Sequence, residues 1–155
     1  MPELMTRSQR LYIGFIGLSF AAAAVGSMFE PGDWYAGLIK PTWNPPNWVF
    51  GPVWSVLYIC IGIAAARVRA RERALLPMLL WLSQLALNAT WSWLFFGLHR
   101  PDLAFYEIQV LWIAIALTAV SFQRFDGRAA ALLVPYLIWV SFASWLNWSL
   151  WRLNT

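Results

Sequence analysis

The chain is poor in the residues that most soluble chemistry uses. It has one cysteine, one histidine and seven acids in 155 residues, and 12% of its residues are charged. A soluble domain carries roughly 25%. Cys60 has no partner for an internal bridge, which excludes a disulfide-stapled module. His99 is the single imidazole and sits at a helix end, so neither a metal enzyme nor a serine–histidine hydrolase is expected. No internal repeat of the kind found in inverted transporters is present. What the chain has in excess is apolar: 61% of residues come from AVILMFWYC, with twelve Trp, ten Phe and five Tyr. That excess excludes a soluble globular enzyme and a disordered tail. In so apolar a chain, a net charge of +4 orients a membrane protein rather than recruiting nucleic acid.

Five stretches reach the length of about 20 apolar residues that crosses a bilayer: 11–29, 48–66, 75–96, 103–122 and 132–151. They predict an all-α membrane protein of one domain over 1–155, a five-transmembrane-helix bundle. The first stretch, with Arg7, Arg10 and Ala21 to Ala24, resembles a signal peptide, but its length and the four spans behind it mark a retained helix. Pro77 and Pro135 fall in first turns, where a missing N–H costs least, whereas Pro52 is expected to bend the second span. Gly97 and Pro101 close the third span and open a tight hairpin into the fourth. Ala22 with Gly26 and Gly62 with Ala66 mark close helix contacts, within one protomer or between two. Arg7, Arg10, Arg67, Arg69, Arg71, Arg73, Arg124 and Arg128 share one side, against Lys40, Arg100 and Arg152 on the other. That asymmetry predicts a cytoplasmic N-terminus. The Arg67–Arg73 cluster also suits anionic lipid.

The longest connection, Glu30 to Asn47, has its own chemistry. Asp33 is placed to cap a short helix through Trp34, Tyr35 and Leu38, which must end near Lys40 because Pro41 follows. Pro41 to Trp48 then reads as a stiff, extended strap. Long structured loops are usually functional, and an aromatic belt at the headgroups is compatible with a lid. At about 1.5 Å of rise per residue, Glu107 lies about 6 Å below the loop-side boundary, Trp91 about 7 Å and Trp54 about 9 Å. Asn88 lies about 12 Å deep, and Gln84 and Trp139 about 18 Å. Trp81, Gln84, Asn88, Trp91 and Phe95 share one helical stripe, and Trp139, Ala143 and Leu146 form another. Glu107 is the only acid inside a span, a functional candidate by default; its bland alternatives are water at the interface or pairing with Arg100. Together these predict a wide, aromatic-walled cavity under a lid, suited to a rigid planar or polycyclic ligand.

Particular strings carry a resemblance: Trp34-Tyr35, Lys40-Pro41-Thr42-Trp43-Asn44-Pro45-Pro46, Trp54-Ser55-Val56-Leu57-Tyr58, and Gln84 through Ser92. Phe95-Phe96-Gly97, Glu107, Pro135 through Trp139 and Leu146-Asn147 complete it. In order and spacing the chain resembles the TspO/MBR family, the tryptophan-rich sensory or translocator proteins. The resemblance implies a five-helix bundle, usually a homodimer, that binds porphyrins such as protoporphyrin IX. By position it implies ligand contacts at Trp34, Tyr35, Pro45, Trp54, Tyr58, Asn88, Trp91, Glu107, Trp139, Ala143 and Leu146, with no metal and no resident cofactor. It further implies light-dependent porphyrin breakdown in bacterial members, with Trp54 and Trp139 as the oxidisable partners. The sterol motif of animal members is broken here, since Trp148 stands where that motif has its Tyr.

Three functions follow as expectations: a porphyrin-binding sensor or regulator of tetrapyrrole or stress responses, a slow photo-oxidising enzyme, or a transporter of porphyrin or sterol-like ligands. Transport ranks last, because broken midplane helices and repeats are missing. A bacterial plasma membrane is the expected location, although some family members occupy outer membranes.

Overall fold

A computed structural model describes residues 5–71 and 75–155, and among them the regular structure is helical throughout. Arg73 of the expected arginine cluster lies outside the described residues. Helix α1 runs Arg7–Ser27, α2 Gly32–Ala36, α3 Asn47–Arg71, α4 Leu75–Ser92, α5 Pro101–Gln123, α6 Gly127–Leu132 and α7 Val134–Leu153. Helix α4 continues into a π-turn at Trp93–Gly97. Helices α1, α3, α4 with its π-turn, α5 and the α6–α7 stretch form the five rods of the bundle. Four of them, all but α4, are long and apolar enough to span a membrane. Gln84, Asn88 and the indoles dilute the apolar character of α4.

The boundaries have local causes. Helix α1 starts at Arg7, four residues before the expected span, because Thr6 and Gln9 form a reciprocal capping box. The Gln9 N–H donates to Thr6 Oγ1 at 3.2 Å, and the Thr6 N–H donates to Gln9 Oε1 at 2.8 Å. Helix α3 continues through Pro52 without a break and carries on to Arg71, past the apolar run. The expected fifth span is divided at Leu133, with Pro135 in the first turn of α7.

Asp126 fastens that division to α3. Its Oδ1 accepts from the N–H groups of Arg128 (2.9 Å) and Ala129 (3.3 Å) at the start of α6. Its Oδ2 lies 2.9 Å from Arg67 Nη2 and 3.2 Å from Arg71 Nε. Burial alone would raise the Asp126 carboxyl pKa, but the two backbone donors and the two arginines outweigh it and hold the group below its ordinary value.

Small residues set the helix spacings. A Cβ on Gly62 would stand 2.6 Å from Ile16 Cα, so α1 and α3 meet backbone to backbone, within one protomer. Next to it, Ala64, Ala65 and Ala66 are fully buried. The buried Trp81 indole donates to the Ile61 carbonyl at 3.1 Å, joining α4 to α3.

Two expectations for the long loop are corrected. Asp33 is not a cap: α2 begins one residue earlier, at Gly32, whose φ of +56° turns the chain into the helix, and no side chain caps it. The helix ends at Ala36, and Lys40 Nζ caps it by donating to the carbonyls of Tyr35 (2.7 Å) and Ala36 (3.3 Å) and to that of Leu38 beyond them (3.2 Å). Nor is the strap extended throughout, since the Asn44 N–H closes a turn on the Pro41 carbonyl at 3.0 Å. The third span also departs from a plain α-helix. In its π-turn the Leu98 N–H reaches the Trp93 carbonyl at 2.8 Å, and the chain leaves through His99 at φ +53°.

Candidate functional site

The bundle holds a cavity of about 660 Å³ beneath the α1–α3 loop. Its walls are aromatic and arranged in pairs. On α3 the Trp54 ring stacks on Tyr58 (centroids 5.5 Å, planes 29° apart), and on α4 Trp91 stacks on Phe95 (5.1 Å, 21°). Trp139 of α7 leans on Phe142 at 5.3 Å and meets Phe50 edge-on at 5.8 Å. Ala143 and Leu146 complete the α7 wall, while Ile108 and Leu111 line the α5 side.

Two hydrogen-bond chains hold these walls in register. The Tyr58 hydroxyl donates to Asn88 Oδ1 at 2.7 Å, and Asn88 Nδ2 donates to the Tyr136 hydroxyl at 2.7 Å, tying α3, α4 and α7 together. Nearer the loop, Trp91 Nε1 donates to Asn147 Oδ1 at 2.9 Å, and Asn147 Nδ2 donates to the Pro101 carbonyl at 2.8 Å. Charge-free groups do all of this, which suits a low-dielectric interior. The Trp139 Nε1–H is buried and has no protein partner among the described residues.

The loop is fastened over this chamber. Tyr35 is buried against Phe95 and Phe96, and Lys40 Nζ sits 4.7 Å from the centre of the Tyr35 ring. Burial raises the Tyr35 phenol above its ordinary pKa of 10.0. Trp34 stacks on His99 (4.4 Å, 10°), and Trp43 meets Phe142 edge-on at 5.8 Å. The Ile39 N–H donates to Asn154 Oδ1, and Asn154 Nδ2 returns to the Ile39 carbonyl, both at 2.9 Å.

Of the residues singled out from sequence, Tyr35, Trp54, Tyr58, Asn88, Trp91, Trp139, Ala143 and Leu146 line the cavity. Trp34, Pro45 and Glu107 do not: Trp34 braces the lid against His99, and Pro45 is half-buried in the strap. Glu107 has both carboxylate oxygens buried without a protein partner among the described residues. It does not pair with Arg100, which closes on Asp102 at 2.6 Å. Gln84 is buried in the core without lining the cavity.

Residues 15–152 match the profile described as the TspO/MBR family. The chain belongs to the TspO/MBR family. It is 44% identical over 137 residues to Protein CrtK of Rhodobacter capsulatus, covering 86% of each chain. It is 44% identical to the tryptophan-rich protein TspO of Chlorobaculum tepidum, covering 90% of this chain and 92% of that one. With the human translocator protein it shares 39% identity, over 92% of this chain and 89% of the other. A multi-pass integral membrane protein of this family is therefore in hand.

What sequence reasoning missed in this TspO/MBR chain is mostly the α1 wall. Phe20, Ala23, Ala24 and Ser27 line the cavity, although α1 carries no polar marker to single them out. The alanine run and Gly26 were the available signal, since small residues on one face leave room beside a helix. Phe50, Phe96 and Leu150 were missed for a different reason: isolated apolar residues in apolar spans do not stand out.

Proposed function

We propose that the cavity binds a planar tetrapyrrole of the protoporphyrin class and that the protein acts as a membrane sensor or regulator of such compounds. The observation that carries this reading is the aromatic chamber itself, about 660 Å³ in volume and roofed by the fastened loop. That volume falls within the roughly 300–1,000 Å³ typical of small-molecule sites. Stacked indole and phenol faces favour a flat, polarisable ring system, and offset or edge contacts add about 0.5–1.5 kcal/mol each beyond area. The buried Trp139 Nε1–H offers one directed donor to a ligand acceptor. The eleven residues that the family resemblance marks are read here as this site, with Trp34 and Pro45 acting through the lid and Glu107 from behind the wall. The arginine-rich ends are assigned to the cytoplasm, most simply of a bacterial plasma membrane.

Protoporphyrin IX titrated into the protein in nanodiscs should quench tryptophan fluorescence saturably, and Trp54→Phe combined with Trp139→Phe should weaken that quenching. Equal quenching in the double variant would remove the assigned pocket. A second reading, photo-oxidation of the bound ring, is favoured by the Trp54 and Trp139 indoles, which share the ligand-sized chamber with Trp91. With dioxygen as oxidant, illumination should give a new absorbing product only with the wild-type protein. Product formed equally in detergent alone would leave sensing as the sole role.

A further inference from the structure

The cavity walls are unequal. Among the residues that line it from α4, α5 and α7, none is exposed. Every exposed lining residue comes from α1, from the start of α3 or from the loop beside them: Phe20, Ala24, Ser27, Pro31, Asn47, Gly51 and Ser55. The chamber is thus closed on three sides and open on one.

The close approaches of α1 explain the opening. Deep in the bundle α1 is seated on α3 at Gly62–Ile16. Toward the loop it crosses to α4 instead, where a Cβ on Gly26 would stand 3.1 Å from Ser92 Oγ. One turn further, a Cβ on Gly97 would stand 2.9 Å from the Phe29 ring. Phe15 also packs edge-on against Trp81 of α4 at 5.1 Å, and Phe20 meets Tyr58 of α3 at 5.9 Å. Loopward of Phe20 the close approaches, at Gly26 and Phe29, are to the α4 rod, leaving a wedge between α1 and α3 on the loop side of Phe20. The lid does not cover this wedge, because its ties run to the π-turn, to α7 and to the C-terminal Asn154.

Apart from Asn47 at the start of α3, the rim is apolar or internally bonded, which suits lipid. Ser27 Oγ donates to the Ala24 carbonyl and Ser55 Oγ to the Gly51 carbonyl, both at 2.8 Å, so neither hydroxyl presents a free donor at the mouth. A Cβ on Gly51 would meet nothing within 4 Å.

We propose that the α1–α3 wedge is a lateral portal through which a membrane-dissolved planar apolar ligand enters the cavity from the loop-side half of the bilayer, while the lid stays shut. This rests on the tetrapyrrole-binding reading of the cavity. An entry step through lipid depends on ligand per lipid rather than on ligand in water. It also makes the mouth a kinetic element, so narrowing it slows arrival and departure alike.

The test mixes nanodiscs holding the protein with vesicles preloaded with protoporphyrin IX and follows tryptophan quenching by stopped flow. Gly51→Leu is expected to lower both association and dissociation rates by about tenfold while moving Kd by less than about threefold. Asn154→Ala, which unties the lid, is expected to leave both rates unchanged. Faster association in Asn154→Ala together with wild-type rates in Gly51→Leu would overturn the portal in favour of entry through the lid. A tenfold weaker Kd in Gly51→Leu at an unchanged association rate would make Gly51 a binding contact and also overturn it. Absence of saturable quenching in the wild-type protein would instead strike the tetrapyrrole reading itself.

Discussion

Gly62 gives the sharpest test of how the bundle is held. Replacing it with alanine adds one methyl group, which would lie 2.6 Å from Ile16 Cα and 2.8 Å from Ile16 N. Carbon pairs settle at about 3.5–4.0 Å, so α1 must retreat by about 1 Å. The obstacle is backbone and has no rotamer to turn away. Overpacking of this kind costs about 1–3 kcal/mol, while the exchange itself favours the helix by about 1 kcal/mol. The two effects separate in a pair of variants, because Gly17→Ala, inside α1 and not followed by proline, brings the same helix gain with an open space for its methyl. Thermal unfolding in one detergent should therefore place Gly62→Ala below Gly17→Ala by about 1–3 kcal/mol, the contact cost alone. A second reading uses Ser19, which is fully buried in α1. Ser19→Cys, made with Cys60→Ser, should resist a membrane-permeant maleimide in the Gly62 background and react when Gly62→Ala is added. Equal stability of the two alanine variants, with Ser19→Cys still protected, would refute the backbone seat between α1 and α3.

Asn88→Leu should destabilise the bundle more than Tyr58→Phe, because it orphans two buried hydroxyls, each at about 1–3 kcal/mol; denaturant unfolding in mixed micelles reads the difference. The Asp126 carboxyl is held below its ordinary value, so its contribution is present above the unfolded-state pKa of about 3.9 and fades as pH falls through the lower folded value. Asp126→Asn should therefore lower thermal stability at pH 7 and remove much of the wild-type loss on acidification below about pH 4, as followed by circular dichroism. Asn154→Ala removes both bonds to Ile39, so hydrogen exchange at the Ile39 amide should quicken while amides in α5 keep their protection.

Much of this architecture was legible because bilayers impose simple rules. Apolar runs near 20 residues, with proline at first turns, located the five rods. The spacing of Asn88, Trp91 and Phe95 placed one wall, since side chains three and four apart share a helix face, while Trp81 and Gln84 of the same stripe are buried in the core below it. The limits were equally physical. Sequence spacing assumed one pitch through Phe95, whereas the π-turn lets Phe96 line the cavity beside it. Asp33 looked like a cap because its side chain suits one, but Gly32 takes the left-handed turn first. The family resemblance marks Trp34 together with Tyr35, and no local pattern foretells that α2 turns the Trp34 ring onto His99. The partner of a spare residue such as Asn154 lies 115 positions away, beyond any local pattern.

The π-turn at Trp93–Gly97 has a consequence for tolerance to length change. A helix there holds one residue more than its regular winding would need. Deleting a residue from most of a spanning helix swings everything after it by about 100°. Within these five positions, a deletion can instead anneal the coil to ordinary winding and keep the rod intact. The forfeited feature would be local: two adjacent rings, Phe95 and Phe96, could no longer both face the chamber. Length variants at this point should thus fold and insert, yet differ in which guests they hold.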